Sequence, residues 1–125
     1  MSMRAKADHL ARLGLALYLP VTGIAAISNP PPAFLAAWSG FELHTTGFFV
    51  LTLLARLAFG SIQPLVLLGM LLTGGAALEA LQHLVGRDAE LADMGANAIG
   101  GLLALCASFF IARLATLRRT HPERP

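Results

Sequence analysis

Charge is what this chain has least of. Asp, Glu, Lys and Arg make up 13% of its 125 residues, about half the share found in soluble domains. So few charges cannot cover a water-facing surface. Cysteine is almost as scarce: Cys106 stands alone in the last apolar run, which excludes an intrachain disulfide. The basic residues are few and flank apolar segments rather than forming a folded basic face, so nucleic acid is not an expected partner. Metal-ligand spacings such as H-E-x-x-H are absent, and no serine stands in a nucleophile elbow. His44 and His83, with Glu42, Glu79 and Asp93, carry ligand chemistry for a divalent cation, but without such a spacing neither a metal site, a cofactor nor a catalytic triad is expected. There is no internal repeat, no low-complexity tract and no sign of a second domain.

Apolar sequence fills the space that charge leaves. Hydrophobic residues are 56% of the chain, and the mean hydropathy is +0.68. A membrane-crossing helix needs roughly 20 predominantly apolar residues. Four such segments are expected, at about 10–28, 44–59, 64–85 and 91–117, giving an all-α bundle of four transmembrane helices in a single domain, 1–125. Asn29-Pro30-Pro31-Pro32 should stop the first helix, because proline lacks an amide donor and restricts the residue before it. Pro20 should kink it. Arg4, Lys6 and Arg12 precede an apolar run whose Ala26-Ile27-Ser28 loosely resembles a signal-peptidase site. Pro20 in mid-segment and Ser28 fit that reading poorly, so the first helix is expected to be retained.

Orientation follows from the lysines and arginines. Arg4, Lys6, Arg12, Arg56, Arg113, Arg118, Arg119 and Arg124 fall on one side of this bundle; of the nine basic residues only Arg87 falls on the other. Positive charge stays cytoplasmic, so both termini should be inside. The segments 29–41 and 86–91 should then face outward.

The polar residues of the apolar segments gather at that outward end. Glu42 and His44 open the second helix; Glu79, Gln82, His83 and Arg87 close the third; Asp88, Glu90, Asp93 and Asn97 open the fourth. Spacings of three and four put Glu79, Gln82, His83 and Arg87 on one face. Asp93, Asn97 and Gly101 share another, beside a ladder of Ala92, Ala96, Gly100, Ala104 and Ser108. Small residues at every fourth place let membrane helices approach closely, so the third and fourth helices are expected to form a tight hairpin through Ala92, Ala96, Gly100, Gly101 and Ala104. In that hairpin Glu79 and Asn97 would both lie roughly 13 Å below the turn, at 1.5 Å per residue. A charge near mid-membrane costs about 2.5–3.5 kcal/mol. Glu79 should therefore be partnered, protonated or open to a wet cavity, with Asn97 as its expected partner. Arg87 is expected to pair with Asp93 or Glu90. The bland alternative for Glu79, Gln82, Asp93 and Asn97 is an interhelical hydrogen-bond clamp.

Glu79-x-x-Gln82, then Arg87, then Asp93-x-x-x-Asn97 with Gly100-Gly101, preceded by His44 at the head of an apolar helix, resembles the core pattern of the VanZ-like membrane proteins. The resemblance covers roughly residues 41–105. One departure is Glu42, where that family often carries a lysine shortly before the histidine. The resemblance implies a protein of the bacterial cytoplasmic membrane with a cell-envelope role, in a family whose namesake is linked to lowered teicoplanin susceptibility; it implies no mechanism. The expected site is one outward-opening polar pocket of His44, Glu79, Gln82, Arg87, Asp93 and Asn97. The expected partners are membrane lipids and a lipid-linked or peptidoglycan-related envelope component. Two other expectations stand beside it: an intramembrane enzyme with Glu79 or His44 as acid/base, and a subunit of a transporter or homo-oligomer.

Overall fold

The computed structural model describes residues 3–88 and 90–120. Ala89 in the last turn, and the polar tail from residue 121 on, lie outside the described residues. Among the described residues four helices are formed, α1 (Met3–Ile27), α2 (Gly40–Ala58), α3 (Pro64–Leu84) and α4 (Leu91–Thr120), with one 3-10 turn at Ala33–Leu35. No strand occurs among the described residues.

Local chemistry explains where the helices begin and end. α1 stops at Ile27, just ahead of the proline run, and continues through Pro20. α2 starts four residues earlier than its apolar pattern, because Ser39 caps it. The Ser39 hydroxyl accepts the Glu42 N–H at 3.2 Å, and the Glu42 carboxylate accepts the Ser39 N–H at 2.9 Å. That reciprocal capping box satisfies two donors that would otherwise be orphaned. Gln63 caps α3 through its side-chain oxygen, with Pro64 in the first turn where no amide is needed. α3 ends at Leu84, and Gly86 just beyond its cap has a φ of 77°, which suits glycine. The Gly86 N–H donates to the His83 carbonyl and the Arg87 N–H to the Gln82 carbonyl, the two bonds of a Schellman motif.

Two partner-specific contacts fix the up-down-up-down arrangement. Arg12 of α1 donates to the Ala58 carbonyl of α2, which places the start of α1 beside the end of α2. Gln82 of α3 donates to the Ala26 carbonyl of α1, which places the two opposite ends together. Near the chain's start the core is apolar: Ala11, Leu15, Ala55, Ala58 and Leu67 form one buried cluster.

α2, and not α3, is the principal neighbour of α4. This corrects the expected hairpin. Ala96, Gly100 and Ala104 are buried, and a Cβ added at Gly100 would run into the Thr45 carbonyl oxygen and the Phe49 amide nitrogen of α2. Gly101 faces both Leu68 of α3 and Thr52 of α2. Ala92 is exposed and takes no part in the packing groove. The ladder is a helix-packing surface whose occupant the spacing alone did not reveal.

Three helices, α1, α3 and α4, are long and apolar enough to cross a membrane. Their outer faces carry large apolar side chains in the open, among them Leu17, Val21, Met70, Phe109 and Phe110. α2 falls short of that measure, since it holds Glu42, His44, Arg56 and three threonines within its 19 residues. The chain is a membrane-like helical bundle.

Candidate functional site

Each of three helices carries a stripe that is polar at one end and small or apolar below. On α2 the stripe is His44, Phe48, Thr52, Ala55; on α3 it is Glu79, Gly75, Leu68; on α4 it is Asp93, Asn97, Gly100 and Gly101, Ala104. Steps of three, four and seven hold each set on one helix face. The bundle turns the three stripes inward, so their polar ends meet.

His44 is the centre of that meeting. Its Nδ1 donates to Asn97 Oδ1 at 3.0 Å and lies 3.3 Å from Glu79 Oε1. Its Nε2 lies 3.6 Å from Asp93 Oδ2. Glu79 and Asn97 are buried, at 8% and 2% exposure, while His44 and Asp93 keep a partly open edge. Glu79 Oε2 is buried with no hydrogen-bond partner. The cluster is rich in acceptors and poor in donors: an imidazole has at most two protons to offer the oxygens around it.

Glycine makes the room for this arrangement. Gly75 on α3 faces the Phe48 ring, and a Cβ there would stand 2.6 Å from Phe48 Cζ and 3.4 Å from Asn97 Nδ2. Gly40 likewise leaves space beside Asp93 Oδ1. Neither glycine stands out by spacing, because the neighbours that demand them come from other helices.

The six expected site residues do not all come together. His44, Glu79, Asp93 and Asn97 form the cluster, with the difference that Glu79 meets His44 rather than Asn97. Gln82 and Arg87 turn the other way. Gln82 Nε2 donates to the Ala26 carbonyl at 3.0 Å, and Arg87 Nη1 donates to the carbonyls of Ala25, at 3.2 Å, and Ala26. Their targets are the C-terminal carbonyls of α1, groups that have no partner within their own helix. Arg87 thus caps α1 and does not pair with Asp93 or Glu90. The Schellman turn sets this up, since it reverses the chain immediately before Arg87. Asn29 completes the clamp by donating to the Val85 carbonyl at 3.2 Å. Glu42 belongs to the α2 cap and stands apart from the cluster.

No protein-family model, no curated protein and no solved structure matches this chain. The site has to be read from its own chemistry. A shallow depression of about 290 Å³, lined by Glu79, Ala80, His83, Glu90, Leu91 and Met94, lies between α3 and the start of α4. Glu79 is the residue shared by the depression and the cluster. Leu91, at 87% exposure, and Met94 give its rim an apolar side, while His83 and Glu90 give it a polar one. Such a rim suits a molecule with both characters.

Proposed function

We propose that this chain is a multi-pass protein of the bacterial cytoplasmic membrane, of the VanZ-like type, that binds the polar head of a lipid-linked envelope component at the outer leaflet. In this reading α2 crosses the membrane as well, its polar residues shielded by the helices around it, and both termini are cytoplasmic. The observation that carries the proposal is the open depression that reaches Glu79, with its mixed apolar and polar rim. A lipid-anchored molecule arrives from the side, in the plane of the bilayer. Two carboxylates and an acceptor-rich cluster suit the hydroxyl, amide and ammonium donors of a sugar- or peptide-bearing head. They do not suit a bare phosphate.

One observation favours a second reading, an intramembrane enzyme. A buried carboxyl oxygen without a partner, on a residue that touches an imidazole, resembles an acid/base pair waiting for a proton donor. Lipid analysis of the purified protein separates these readings. The binding role predicts a specific head-bearing lipid retained by the wild type and lost from a folded Glu79→Gln protein. The enzymatic role predicts that Glu79→Gln retains an unconverted substrate. A wild-type protein that carries only bulk phospholipid would sink both.

A further inference from the structure

We infer that His44, Glu79 and Asp93 bind a divalent transition-metal ion, with Asn97 orienting the imidazole. One ligand atom from each of the three residues lies within 4.8 Å of the other two. They sit on α2, α3 and α4, so the ion would bridge three helices. The second observation is Glu79 itself: its side chain is nine-tenths buried, and its Oε2 lacks any hydrogen-bond partner. Burying an unsatisfied carboxylate oxygen is expensive. Arg87 gives that oxygen no hydrogen bond: its Nη1 donates to the carbonyls of Ala25 and Ala26.

The histidine is prepared for this role. In the neutral tautomer that donates Nδ1–H to Asn97 Oδ1 at 3.0 Å, the lone pair is on Nε2, which faces Asp93 Oδ2 at 3.6 Å. Two lone-pair donors facing each other repel unless a proton or a cation lies between them. A ring N–H held by an oxygen acceptor is also the usual way a metal-binding histidine has its tautomer and direction set. One imidazole and two carboxylates suit first-row divalent ions such as Zn²⁺ or Mn²⁺. Zinc holds nitrogen and oxygen at about 2.0–2.2 Å, which puts tetrahedral ligand atoms about 3.4 Å apart. The ligand atoms lie within 4.8 Å of one another, so the three side chains would have to draw closer around a bound ion. Three protein ligands leave a fourth position on the ion open to water or to an oxygen of a bound molecule.

The expectation of no metal rested on the absence of a local ligand spacing. Residues 44, 79 and 93 come from three separate helices, so no local motif would show them. The inference does not depend on the head-group reading, because metal binding is measured without any lipid substrate.

The test uses the full chain, purified without a histidine tag in a Cys106→Ser background, stripped with chelator and dialysed. Zn²⁺ titration by calorimetry should give one ion per chain and a raised melting temperature, as expected for a ligand that binds the folded state. Co²⁺ should give visible d–d absorption, a measurement on the unaltered site. Glu79→Gln and Asp93→Asn should each lose binding, and Asn97→Ala should weaken it about 10–100-fold. Glu42→Gln, a change in the α2 cap, should bind as the parent does. The inference is overturned if the folded parent chain shows neither a Co²⁺ band nor Zn²⁺ binding. Undiminished Zn²⁺ binding by Glu79→Gln and Asp93→Asn overturns it too. A parent chain that retains a specific lipid but no metal would refute this inference alone.

Discussion

Gly100 on α4 lies against the Thr45 carbonyl of α2 so closely that no side chain fits between them. The obstruction is backbone, on a helix fixed at both ends, and cannot swing aside. Gly100→Ala should therefore destabilise the bundle by about 1–3 kcal/mol, the usual cost of overpacking. Gly101→Ala and Gly75→Ala should cost less, because they meet the side chains of Leu68 and Phe48, which can change rotamer. Gly95 has no neighbour within 4 Å of an added Cβ, so Gly95→Ala should be neutral or gain up to about 1 kcal/mol of helix propensity. Melting temperatures in detergent would rank the four variants. A Gly100→Ala protein as stable as Gly95→Ala would refute the α2–α4 contact.

The bonds from Gln82 and Arg87 to the end of α1 predict that α1 belongs to the mature protein. Residues near Ala26, where a signal peptidase would act, already supply the carbonyls that both side chains need. Intact mass of the purified protein should include α1. Arg87→Ala should cost about 1.5–3 kcal/mol, the range for hydrogen bonds to a charged group, and should raise amide exchange across residues 22–28. A mature chain starting after Ile27, or an Arg87→Ala protein with unchanged exchange there, would contradict this.

Basic-residue partition predicts which end of the bundle faces the cytoplasm. In a Cys106→Ala background, single cysteines at Ala37 and Asp88 should react with an impermeant thiol reagent in intact cells. A cysteine at Ser61, in the turn between α2 and α3, should react only after the cells are opened. The reverse pattern would place the His44 cluster on the cytoplasmic side and remove the basis for an outer-leaflet ligand.

Much of the architecture was legible because it depends on neighbours along the chain. The apolar runs and the prolines after Ile27 act within a few residues, so their consequences can be read locally. So can the stripe Asp93–Asn97, since helical periodicity alone puts the pair on one face. The Ser39–Glu42 cap was local too, and went unread because Glu42 was grouped with the cluster by its charge.

What the sequence by itself determined, then, is a membrane-like helical chain with polar residues at one end of its helices and a small-residue groove on α4. What only the tertiary structure decided is which side chains face each other. α2 fills the α4 groove because a helix-wide backbone approach depends on the surfaces of both helices, and residue spacing describes only one of them. Gln82 and Arg87 leave the cluster because the end of α1, far away in sequence, offers unsatisfied carbonyls that bind their donors more directly than the carboxylates do. His44 becomes the centre because α2 packs that end against α3 and α4 at once. Its three oxygen neighbours come from two other helices, and a contact of that kind has no signature along the chain.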